Sequence, residues 1–215
     1  MHLLLNYGNI EIEKEINDLL QKLKKFALYE KSKDDIKQLA ECIAKIHSYN
    51  LSQSNLPIYN AQWVIDLVQE NNEYRSDVIS ALKIMAEMEY YSADIEFKIK
   101  DKKFLAWDIS RANWHNDYKT GHVGSYIWDI AVIINYVENP SFSDTFLESY
   151  IQHGGQKPTL LSIYANLYYV KVAEAVINDN FKNVIIMTNA ILKQNMFMIE
   201  IIANETLSRL GIVGF

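Results

Sequence analysis

Ile95-Glu96-Phe97-Lys98-Ile99-Lys100-Asp101-Lys102-Lys103-Phe104-Leu105-Ala106-Trp107 is the stretch on which the fold turns. Ile95, Phe97 and Ile99 alternate with Glu96, Lys98 and Lys100. A period of two residues predicts a half-buried strand. Asp101-Lys102 can turn the chain, and Phe104-Leu105-Ala106-Trp107 reads as a second apolar strand. Residues 95–107 therefore predict a β-hairpin. Almost everything around it has the period of a helix, so the expected fold is mainly α with this one small hairpin.

Toward the N-terminus, Ile12, Ile16, Leu19, Leu20, Leu23 and Phe26 recur at helical spacing with charged residues between them. Ser32 offers an N-cap, with Asp35 three residues on as the acid of a capping box, ahead of the stripe Ile36, Leu39, Ala40, Ile43, Ile46 and His47. Asn60 can cap a helix carrying Trp63, Val64, Leu67 and Val68, and Ser76 one carrying Ile79, Leu82 and Met85. Toward the C-terminus, Ser110 to Gly124 is polar and mixed and reads as loop. A helix is expected from Tyr126 through Val137. Another, capped by Ser143, ends at Gly154-Gly155, and a third is capped by Thr159. Lys182 to Leu210 is long for one helix at roughly 1.5 Å per residue and reads as one or two. With no repeat and no clear linker, one domain spanning residues 1–215 is the simplest account.

Composition excludes several function classes. The 215 residues are 49% hydrophobic and 22% charged, the balance of an ordinary globular chain. The formal charge of −6 makes nucleic acid and anionic membranes poor partners. Cys42 is the only cysteine, so neither an intramolecular disulfide nor a multi-cysteine zinc site can form. No signal-peptide pattern and no apolar run of about 18 residues occur, so no transmembrane helix is expected and the cytoplasm is the default compartment. Between Gly8 and Gly121 there is no glycine. A Walker loop or dinucleotide fingerprint, which needs glycines so that backbone N–H groups can approach phosphate, is therefore absent there.

Several segments, in order, resemble the C-terminal lobe of the aminoglycoside phosphotransferase and choline kinase family. Leu39-Ala40-Glu41-Cys42-Ile43-Ala44-Lys45-Ile46-His47 is similar to the family's helix ending in leucine-histidine. Tyr126-Ile127-Trp128-Asp129-Ile130-Ala131 resembles its aspartate-leucine-alanine helix start. Phe146-Leu147-Glu148-Ser149-Tyr150, followed by Gly154-Gly155, resembles its phenylalanine-leucine-x-x-tyrosine segment. Leu3-Leu4-Leu5-Asn6-Tyr7-Gly8 looks like the hinge strand between the family's two lobes. The resemblance implies a kinase-like C-lobe that begins at the hinge, with no N-terminal lobe and so without the lysine that the family uses to hold nucleotide phosphates.

The family's catalytic motifs fit in three ways. In the first, Phe104-Leu105-Ala106-Trp107-Asp108 matches phenylalanine-isoleucine-aspartate-tryptophan-aspartate. Ala106 then replaces the metal aspartate, Met88 the catalytic aspartate and Ala93 the magnesium asparagine. In the second, Asp108 is the metal ligand and Asp94 a poorly placed base. In the third, Asp108-Ile109-Ser110-Arg111-Ala112-Asn113 is the aspartate-x4-asparagine motif and Asp129 the second metal ligand. Phosphoryl transfer rests on positioning and charge neutralisation, so loss of these oxygens removes most of the rate.

The first alignment accounts for the hairpin and for Asp129 together. It implies a degenerate, pseudokinase-type domain acting in binding or protein interaction, with no cofactor. The face left by the missing lobe would be a surface for a second copy or a protein partner. The alternative is an active ATP-dependent phosphotransferase for a small hydroxyl- or amino-bearing molecule, with Asp108 catalytic and Asn113 and Asp129 on magnesium. An unrelated helical scaffold is the second alternative.

Plainer roles compete for the same residues. His47 at the end of an apolar stripe suits a hydrogen-bonded helix end, and Asp129 suits the helix dipole. His115, Asp117 and His122 could ligate one metal ion, although loop histidines are more often solvated. Trp107, Trp114 and Trp128 could line a pocket or an interface, or simply pack.

Overall fold

Three caps read from the sequence open helices where expected. In the computed structural model, which describes residues 7–26, 32–51, 54–71, 74–92, 102–136 and 140–193, the Ser32 hydroxyl accepts the Asp35 N–H at 3.2 Å while the Asp35 carboxylate accepts the Ser32 N–H at 3.0 Å. This capping box starts α2 (Lys33–Ser48). The Asn60 side chain accepts the Trp63 N–H at 2.8 Å and opens α3 (Ala61–Asn71). The Thr159 hydroxyl accepts the Ser162 N–H at 3.1 Å and opens α7 (Leu160–Asn178). The remaining helices are α1 (Tyr7–Leu23), α4 (Arg75–Ser92), α5 (Ile127–Tyr136), α6 (Pro140–Gln152) and α8 (Lys182–Leu192).

The described chain is mostly helical, as the periodicity predicts. Tyr7 and Gly8, read as the end of a strand, instead begin α1. Ser143 is not a cap: α6 starts at Pro140, where the missing proline N–H costs nothing, and Ser143 is buried within the helix. Ser76 likewise lies inside α4, which starts one residue earlier.

The strands depart furthest from expectation. Residues 93–101, and with them the first expected strand at Ile95–Ile99, lie outside the described residues. The second contributes β2 (Lys103–Leu105), whose partner among the described residues is β5 (His122–Gly124), antiparallel, with Phe104 opposite Val123. β1 (Ile58–Tyr59) pairs with the other edge of β5, parallel, with Tyr59 opposite Gly124. Trp107 belongs to a separate two-stranded pair, β3 (Trp107–Asp108) with β4 (Asn113–Trp114). A single 3-10 turn, Ile109–Arg111, and Ala112 in the left-handed region at φ 46° join them. The stretch from Ser110 to Gly124, expected as loop, therefore holds two short strands and a second 3-10 turn, Tyr118–Thr120. Strands of two or three residues are too short to show an alternating pattern.

The three-stranded sheet and the β3–β4 pair sit against a helical core. α7 is the spine: Tyr164, Tyr168, Val172 and Ala173 are fully buried, and so are Leu167, Tyr169 and Val170 on other sides of the same helix. It packs on α3, α4, α5 and α8. By length and composition α7 is the one described helix long and apolar enough to cross a membrane, and 67% of its apolar window is buried within the protein. Packing against its neighbours accounts for that apolarity. α2 lies against α6 and reaches β2, which brings the end of α2, the start of α5 and the β2–β3 junction to one place.

Candidate functional site

That meeting point is organised by one carboxylate. Asp129 stands in the first turn of α5 and is fully buried. Its Oδ2 accepts the Ala106 N–H at 2.7 Å and its Oδ1 the Trp107 N–H at 3.1 Å. Oδ2 also faces Nε2 of His47, in the last turn of α2, at 3.1 Å. A carboxylate here only accepts, so Nε2 carries the proton. On the other side of the ring Nδ1 lies 2.9 Å from the Tyr150 hydroxyl, within hydrogen-bond distance. Burial pushes the Tyr150 hydroxyl well above the ordinary tyrosine range and keeps it a donor. Asp129 thus ties three helices to the β2–β3 junction, and both of its oxygens are occupied by protein donors.

Asp108 follows directly on the peptide units that Asp129 holds. It is buried, at 6% exposure. Oδ1 accepts the Ser110 N–H at 3.0 Å and the Ser110 hydroxyl at 2.6 Å, capping the 3-10 turn. Oδ2 lies 3.5 Å from Arg111 Nε and 3.7 Å from His115 Nδ1. Asn113 sits opposite Asp108 in the β3–β4 register. Its side-chain oxygen accepts the following Trp114 N–H at 2.8 Å.

Beyond Asp108 the polar chain continues inward. His115 is 1% exposed, and its Nε2 lies 3.5 Å from Nδ1 of half-buried His122. The His122 ring stacks on Tyr59 with centroids 3.8 Å apart. Burial holds both imidazoles toward the neutral form; for His122 it lowers the pKa to about 4, helped by the neighbouring His115. Asp117, grouped with them in the sequence, instead caps the next 3-10 turn through Thr120 N–H at 3.0 Å. Among the described residues no three His, Cys, Asp or Glu side chains converge as a metal-holding set.

The three tryptophans divide. Trp107 and Trp114 meet edge to face across β3–β4 at 4.9 Å. Trp128 joins a different group, with Tyr59 at 5.4 Å and Trp63 at 6.1 Å. All three are at most 4% exposed and fill the interior.

A cleft of about 1000 Å³ lies elsewhere, between α1 and α2. Leu19, Phe26 and half-buried Cys42 give it apolar surface, with Asp18, Lys22 and Glu41 among its charged groups. Burial raises the Cys42 thiol pKa, which leaves it a poor nucleophile. Nothing in the helical pattern marks this cleft, because its lining comes mostly from two helices whose relative placement is not a local property of the sequence.

No family model, curated protein or solved structure matches this chain.

Proposed function

We propose that this chain is a kinase-like C-lobe that acts by binding and does not transfer phosphoryl groups. The observation that carries the reading is the engagement of Asp129: each carboxylate oxygen already accepts from buried donors, Oδ2 from His47 and Ala106 and Oδ1 from Trp107. A magnesium ligand must offer a carboxylate oxygen to the ion. Releasing Asp129 would leave two backbone N–H groups and an imidazole unpaired in the core. Asp108 and Asn113 support the same reading, because each spends an oxygen on its own turn or strand. The α1–α2 cleft, at about 1000 Å³, has the size of a small-molecule site and is the place where a ligand would be held. The resemblance of the Leu39–His47, Tyr126–Ala131 and Phe146–Tyr150 segments supplies the kinase-like part of the proposal.

One observation favours the active alternative. Asp108 and Asn113 are directly opposed across an antiparallel pair, so their side chains leave the same face. A phosphotransferase would use them there, with Asp129 as the group that holds the loop. Calorimetry and thermal shift with millimolar Mg-ATP separate the two readings. The binding-domain reading expects no saturable heat and no rise in melting temperature. A magnesium-dependent shift, lost in Asp108→Asn, would overturn it.

A further inference from the structure

We propose that His115 and His122 form the protein half of a binding site for a divalent transition-metal ion, with Nε2 of His115 and Nδ1 of His122 as ligands and Asp108 as the carboxylate behind His115. This goes beyond the binding-domain reading and does not depend on it.

Geometry carries the argument. The two nitrogens face each other at 3.5 Å. Two imidazole ligands on one tetrahedral ion, with metal–nitrogen bonds of roughly 2.0–2.1 Å, stand roughly 3.3–3.4 Å apart. An ion can therefore take the place of the one proton that the pair now shares, with little movement of either ring.

The far side of His115 is arranged to match. A ligating histidine generally gives its other N–H to a carboxylate, which fixes the tautomer and strengthens the ligand. His115 Nδ1 is buried and has no hydrogen-bond partner, and Asp108 Oδ2 lies 3.7 Å from it. Ser110 occupies the other Asp108 oxygen, so Oδ2 is the one that faces His115, with Arg111 Nε beside it at 3.5 Å. A small rotation of the His115 ring toward Asp108 satisfies the orphaned N–H and leaves Nε2 as a lone pair aimed at His122.

The second ligand is held from the other side. Tyr59 stacks on the His122 ring, and β5 is fixed between β1 and β2. His122 is only half-buried, which gives an ion a way in. Two imidazoles suit zinc, cobalt, nickel or copper rather than magnesium or calcium, which prefer oxygen donors. The remaining coordination positions fall to water or to an oxygen of an incoming ligand.

The test uses the full chain freed of metal and titrated with Co(II), followed by its visible absorption, and with Zn(II) in competition with a chromophoric chelator. The expected result is one ion per chain, with ring-nitrogen shifts in 15N NMR confined to His115 Nε2 and His122 Nδ1. His122→Gln should abolish the binding. Asp108→Asn should weaken it about 10- to 100-fold. His153→Gln and His2→Gln should leave it unchanged. Failure to bind Co(II) or Zn(II) at millimolar concentration would overturn the proposal. So would binding that survives in His122→Gln, or that is lost with His153 or His2. The NMR assignment on the unmutated chain decides the matter even if a variant fails to fold.

Discussion

The relay from Tyr150 through His47 to Asp129 is a place where single atoms decide stability. Each group is buried, and each polar atom in the relay has its partner. Asp129→Asn keeps the shape but replaces one acceptor oxygen with an NH2 group facing N–H donors. Asp129 accepts from three buried donors, and leaving a buried donor without its acceptor costs about 1–3 kcal/mol, so the amide variant should lose about 3 kcal/mol. Tyr150→Phe removes one donor, leaves the Asp129 bonds intact, and should cost about 1 kcal/mol. Urea denaturation of the two variants checks the ranking. Equal losses would mean that the carboxylate does not carry the junction.

At the scale of elements, β5 shows why a short strand can matter more than its length suggests. It is the central strand of its sheet, and a Cβ added at Gly124 would stand 2.6 Å from the Tyr59 carbonyl oxygen and 2.9 Å from Leu105 Cδ1. The first atom is backbone and cannot turn aside without opening the β1–β5 pairing. Gly124→Ala should therefore cost about 1–3 kcal/mol, the usual penalty for overfilling a packed site. The loss should appear in hydrogen exchange first at the Val123 N–H, which donates to the Pro57 carbonyl at 2.9 Å. An unchanged exchange rate there would refute the close-contact argument. The same sheet marks the limit of what the sequence discloses. Ser32, Asn60 and Thr159 were legible as caps because a cap is a local bond between residues three apart. The β2–β5 pairing links Phe104 to Val123, and the Asp129 tie links α5 to Ala106 and to His47, 82 residues away. Such contacts leave no periodic trace. His47 and Asp129 could be singled out by their positions at helix ends, but not as partners. His115 and His122 could be grouped, while Asp117 beside them could not be told apart from a ligand until its carboxylate was seen capping a turn.

Taken as a whole, the molecule stakes its core on neutral phenols. α7 alone inserts Tyr164, Tyr168 and Tyr169, and Tyr59 and Tyr150 are buried from β1 and α6. Burial pushes Tyr126 and Tyr164 up to about 12 and holds Tyr59, Tyr150, Tyr168 and Tyr169 higher still. The consequence for stability has a definite sign. An unfolded chain loses its phenolic protons near pH 10, while the folded chain keeps them, so the folded state binds more protons above that point. Stability is fully present below about pH 10 and falls as the pH rises toward and beyond 12. Because the tyrosines are spread from β1 to α7 through one core, no single region can ionise alone and leave the rest folded. The tyrosinate absorbance of these buried tyrosines should therefore appear together with the loss of far-UV circular dichroism, later than free tyrosine ionises. Ionisation of most tyrosines near pH 10 with helical signal intact would mean that the phenols are open to water and that the core is not packed as described.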